Sequence, residues 1–99
     1  MRTGTNRKRS PAQPTGATLA AQGTTLTCDW GTNGDGSTLS ISLVNILTGN
    51  VATQSALDSA ETLEFNTPGV PGQTYLARLT AYLNGEPSKI TTTGTVTVE

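Results

Sequence analysis

The 99-residue sequence contains no histidine, one cysteine and only four aromatic residues. Without histidine the chain lacks the usual general base near neutral pH and the commonest side-chain metal ligand. With one cysteine, Cys28, it can form no intrachain disulfide. Charge is scarce too: 13% of residues are Asp, Glu, Lys or Arg, against about 25% in an ordinary soluble domain. No apolar run approaches the roughly 20 residues that would cross a bilayer, so no membrane association is expected. The start, MRTGTNRKRS, has the charge of a signal peptide's first part. The apolar segment that should follow is replaced by SPAQPTGAT, so synthesis in the cytosol without general secretory export is expected.

Thr, Gly, Ser and Ala fill the space that charge leaves, which is the composition of short strands and tight turns. The net charge of −1 conceals a division. Arg2, Arg7, Lys8 and Arg9 give the first ten residues +4, with no acidic residue among them. Beyond them only Arg78 and Lys89 oppose all seven carboxylates, which leaves residues 11–99 at −5. A basic arm on an acidic body points to an anionic docking surface for the arm. Pro11, Pro14, Gly4 and Gly16 exclude regular helix there, so residues 1–16 read as an extended arm and 17–99 as a single domain.

From Ala17 onward the hydrophobic pattern has period two. Leu26, Cys28 and Trp30 share a face in TLTCDW, as do Leu39, Ile41 and Leu43 in TLSISLVNI. The phase then slips to Val44 and Ile46, which predicts a bulge or a strand end. TGN at 48–50 is a tight-turn signal, and Val51–Ser55 reads as a short edge strand. Leu63 and Phe65 pair in TLEF. The clearest strand is QTYLARLTAYL, where Tyr75, Ala77, Leu79, Ala81 and Leu83 alternate with Leu76, Arg78, Thr80 and Tyr82. The last strand, KITTTGTVTV, sets Ile90, Val96 and Val98 against a threonine ladder. No segment carries a persuasive 3.6-residue period; SALDSAETL allows one helical turn. These signals predict an all-β fold: a single antiparallel two-sheet β-sandwich of about seven strands, with Trp30, Phe65, Tyr75 and Leu79 in its core.

The order of these features resembles a fibronectin type III domain, a branch of the immunoglobulin-like sandwiches. PTGATLAAQGTTLTCDW is similar to that family's opening, with the second strand ending in Trp30. PGVPGQTYLARLTAYLNGEPS resembles its later signature, in which Pro71 and Gly72 precede Tyr75 at a tyrosine corner. The resemblance covers about residues 14–98. It implies a scaffold with many uses. The chain has no RGD, so integrin binding is not implied, and the basic arm is no part of the family pattern.

Candidate sites follow from the residues left over. Serines and threonines are abundant but have no base partner by motif, and Cys28 reads as an inert core thiol, so no enzyme is expected. DWGTNGDGS brings Asp29, Asn33 and Asp35 close, yet lacks calcium ligands at the spacing of a helix–loop–helix site and reads as a glycine-rich turn. No metal and no cofactor are expected. Arg78 and Tyr82 point outward from the long strand and, with Arg2, Arg7, Lys8 and Arg9, are the candidate partner-binding residues. A lone sandwich with a docking arm and no export signal resembles the accessory proteins of virus particles. The expectation is a virion structural protein made in the host cytoplasm: a capsid decoration, cement or minor capsid protein. Its arm would lie on major capsid subunits or other virion proteins, with homo-oligomers on the particle compatible with that role. Nucleic acid is a poor match for an acidic body and four cations without interleaved aromatics. The alternatives are an adhesion or carbohydrate-binding module, and an assembly protein whose arm contacts the genome.

Overall fold

The alternating segments form strands that cover the core from two sides. A computed structural model describes residues 10–99; the arm residues Arg2, Arg7, Lys8 and Arg9 lie outside it. In chain order the strands are β1 (Thr15–Gln22), β2 (Thr25–Gly31), β3 (Thr38–Asn45), β4 (Gly49–Leu57), β5 (Thr62–Glu64), β6 (Thr74–Leu83), β7 (Glu86–Pro87), β8 (Thr91–Thr92) and β9 (Val96–Thr97). One sheet runs β1-β2-β5. The other runs β4-β3-β6, and β7, β8 and β9 follow one another along the far edge of β6. All pairings are antiparallel. The last three pieces are one interrupted strand, so the expected count of about seven is met.

The core is the apolar set the alternation selects. Leu26, Cys28 and Trp30 from β2 face Leu39, Ile41 and Leu43 from β3 and Tyr75, Ala77, Leu79 and Ala81 from β6. Leu19, Phe65 and Val98 complete it, while Leu63 and Val96 are half-buried against its rim. Trp30, Phe65, Tyr75 and Leu79 are all buried, as the sequence predicts. The tyrosine corner is formed: the Val70 amide donates to the Tyr75 hydroxyl at 2.9 Å. Gly69 passes beneath it, donating its amide to Thr24 O at 2.8 Å. A side chain there has no room, because a Cβ on Gly69 would stand 2.5 Å from Val98 Cγ2.

Three expectations are corrected. The arm does not extend to residue 16. β1 begins at Thr15, and Pro11 and Pro14 are buried. Gln13 Nε2 donates to Ile90 O at 2.9 Å, and Thr91 Oγ1 donates to Pro14 O, so prolines that exclude helix serve here as an extended strap. Second, β3 does not slip phase: its inward face continues from Leu43 to the buried Asn45. The expected bulge is present between Leu43 and Val44, but the extra residue is Val51 on β4, skipped between Ala52 and Asn50, and the strand ends at Asn45 as expected. β4 is correspondingly longer than expected. Third, the threonine ladder is broken. Thr93 is buried and Ile90 is 58% exposed. Two hydroxyls accept β6 amides where strand carbonyls would, Ser88 Oγ from Ala81 N and Thr93 Oγ1 from Ala77 N, each at 2.9 Å. A period-two reading has no means of seeing a hydroxyl that replaces a backbone acceptor.

Two substitutions test the corner. Tyr75→Phe strands the Val70 amide and should cost about 1–3 kcal/mol. Gly69→Ala forces its methyl onto the stiff Val98 side chain and should cost about 1–3 kcal/mol. Urea unfolding should show both as a lower midpoint with an unchanged slope.

Candidate functional site

The outer face of the larger sheet carries the residues that the core does not use. From β3 come Ser40, Ser42 and Val44; from β6, Leu76, Arg78 and Thr80. Ile46, from the turn after β3, and Ile90, from the break in the last strand, rise at the margins. Together they enclose an open groove of about 660 Å³. Among the described residues, Arg78 is the one charged residue lining it. Register explains the arrangement: Arg78 stands opposite Ser42 on one side and Thr92 on the other. Small hydroxyl neighbours leave the guanidinium standing above the sheet. Tyr82 shares this face, paired with Thr38 and Pro87, and is 43% exposed. It lies beyond the groove rather than in it, so the structure places Arg78 and Tyr82 on one face without bringing them into one pocket.

This face offers hydroxyls, one guanidinium and apolar side chains. Ser42 Oγ and Thr53 Oγ1 hydrogen-bond each other at 2.9 Å, and no imidazole exists in the chain to activate either. Its chemistry suits an extended polar partner with an anionic or carbonyl group for Arg78 and apolar contacts for Val44, Leu76 and Ile90.

At one end of the sandwich, the loop GTNGDGS is organised by a residue the sequence reading passed over. Asp58 begins a single 3₁₀ turn, Asp58–Ala60, and is buried. Its carboxylate Oδ2 accepts the Thr32 hydroxyl at 2.5 Å, the Asn33 amide at 2.8 Å and the Gly34 amide at 3.2 Å. Its own amide donates to Ser37 O at 3.0 Å, and its carbonyl accepts Trp30 Nε1 at 2.9 Å. Asp58 thus fastens the loop to the indole of the core. The available signal was its isolation: no charged residue occurs between Asp35 and Asp58. The residues considered for calcium have other engagements or none. Asp35 Oδ1 accepts the Ser37 amide at 3.0 Å, and the Ser37 hydroxyl and amide hold its carboxyl below the ordinary carboxylate range. Asn33 Nδ2 donates to Ala12 O, and Asp29 is exposed on β2. Among the described residues no three His, Cys, Asp or Glu side chains converge.

Cys28 is fully buried. Burial, with a smaller contribution from the Asp29 carboxylate, pushes its thiol up to about 12.

With this geometry in view, the comparisons with known proteins locate the architecture. The fold is similar to that of an FN3-like domain described as "Structure of FN3tt mut". The TM-score is 0.67 and the identity 22%, over 88% of this chain and 94% of that one. No family model and no curated protein matches. The fold is therefore a fibronectin type III/immunoglobulin-like β-sandwich.

Asp58→Ala should lower stability by about 2–4 kcal/mol, because it strips a buried acceptor from three donors. Hydrogen exchange should show the Asn33 and Gly34 amides losing protection. Cys28 should resist thiol reagents at pH 8 in the native protein and react fully in denaturant. Its raised folded pKa means that the protonated form's contribution to stability is complete below the ordinary thiol pKa of about 8.5. That contribution should fall as pH rises from there toward 12, a loss that Cys28→Ala removes.

Proposed function

We propose that the chain is a non-enzymatic virion structural protein, a capsid decoration, cement or minor capsid protein that docks through its basic N-terminal arm. The observation that carries this reading is the charge division: +4 on the first ten residues, −5 on the sandwich. An acidic body does not seek the surface its arm seeks, so the arm sets the polarity of attachment. The path of the chain supports the same geometry. Ala12 and Gln13 are fixed beside Asn33 and Ile90, so the arm departs from a secured point on the sandwich. Docking there leaves Tyr82 and much of the outer face for a second contact. The partner is a protein surface rich in carboxylates, as major capsid subunits or other virion proteins would offer. Assembly in the host cytoplasm fits this reading. No helix among the described residues is long and apolar enough to cross a membrane.

The alternative of a sugar-binding or adhesion module has less to rest on. Trp30, Phe65 and Tyr75 are buried, which leaves Tyr82 as the one exposed ring. A genome-contacting arm is separated from a protein-docking arm by salt: binding to DNA should weaken steeply with ionic strength, whatever its sequence.

The test is co-sedimentation with source-virus particles that lack this protein, comparing the full chain with residues 10–99. The shortened chain keeps Pro11, Ala12 and Gln13 and so retains the strap. Pelleting of the full chain alone supports arm-anchored decoration. If both folded forms stay in the supernatant, the virion reading fails.

A further inference from the structure

The sandwich guards its sheet edges unequally. β5 is three residues long. The last strand is broken twice and carries Pro87. β1 is irregular between Thr15 and Thr18. Each is a recognised way of denying an edge to another chain. β4 is different. It has nine residues, pairs only with β3 among the described residues, and contains no proline and no charge. Past its irregularity at Val51 the pairing with β3 is regular from Ala52 to Leu57.

The sequence of that edge reads the same in type from either end. Val51-Ala52-Thr53-Gln54-Ser55-Ala56-Leu57 runs apolar, alanine, hydroxyl, glutamine, hydroxyl, alanine, apolar. Exposure alternates in step: Val51, Thr53, Ser55 and Leu57 are exposed, while Ala52, Gln54 and Ala56 are half-buried. A two-fold axis perpendicular to the sheet at Gln54 opposes Val51 with Leu57, Thr53 with Ser55 and Ala52 with Ala56. Every pair keeps its own face, as antiparallel strands require. The apolar pair occurs twice, and Val51 and Leu57 are 39% and 62% exposed in the single chain.

We propose that β4 pairs with β4 of a second copy, antiparallel and centred on Gln54, to give a two-fold dimer with one continuous sheet. The second copy is the occupant because the interface is isologous: a seven-residue segment symmetric in type about its centre meets itself with matched side chains and no like charges. The absence of charge from Gly36 through Leu57 removes the repulsion that the acidic body would otherwise bring to this edge. The dimer sets two outer faces side by side, each with its Arg78 groove. It does not depend on where the arm docks.

The experiment is sedimentation equilibrium on the full chain over a wide concentration range, with two double variants at exposed positions. The wild type should approach twice the 10.2 kDa chain mass. T53K/S55K places lysines directly opposite one another at two symmetric sites and should weaken dimerisation by about tenfold or more. T53K/S55E places lysine opposite glutamate at the same sites and should restore it to near the wild-type level. Circular dichroism checks that each variant is folded. A wild type that stays monomeric at several hundred micromolar overturns the proposal. So does a dimer that ignores T53K/S55K, or one weakened equally by both variants.

Discussion

The carboxylate of Asp58 is the constraint on which this end of the molecule depends. One oxygen gathers the Thr32 hydroxyl and the amides of Asn33 and Gly34, and the same residue's backbone holds Trp30 and Ser37. Charge-assisted bonds inside a protein are stronger than the same bonds in water. A glycine-rich loop, with no apolar side chain to pack, is fixed here by polar bonding. The chain crosses from one sheet to the other at this point. The crossing fixes the distance between β4 and β5 and seats the indole between the sheets. The Asn33 amide group then reaches Ala12, so the strap before β1 is tied to the same knot.

The architecture was legible because it rests on alternation. A half-buried strand writes its inward face into the sequence every second residue, and thirteen core positions obey that rule. Trp30 and Tyr75, read as landmarks, occupy the places their spacing required. What was not legible had a different physical basis. Asp58 looked like part of a minor helical turn because its partners lie 21 to 28 residues away. Thr93 looked like a ladder residue, and Ser88 like part of the NGEPS turn, because their role is that of a carbonyl. The strap at 11–14 looked like arm because prolines signal irregular chain, and irregular chain can still be buried. On the candidate face, Arg78 and Tyr82 were readable as outward by parity. Ile46 and Ile90 at the groove's margin were not, since each stands where regular pairing stops.

The distribution of charge separates the tasks of the chain. Residues 36–57, which include the exposed edge, are neutral. The sheet above the core presents hydroxyls and one guanidinium. Apart from Glu86 in β7, the carboxylates are spread over the remaining loops, the C-terminus and the smaller sheet. Long-range fields therefore act through the arm and the acidic body, while close contact on the outer face is governed by shape and hydrogen bonding.

The interrupted last strand has a mechanical meaning. Tension applied at Glu99 first meets Val98, which is buried and bonded to Gly72 and Gln73. Beyond it stand β9, the Thr93 hydroxyl, β8 and the Ser88 hydroxyl, separated by Gly94 and Thr95 and by Lys89 and Ile90. Pairing with β6 lapses between these catches, so they should release in succession, each at the modest force that two residues can resist. The strand is a chain of small latches whose failure spares the pairing of β3 with β6.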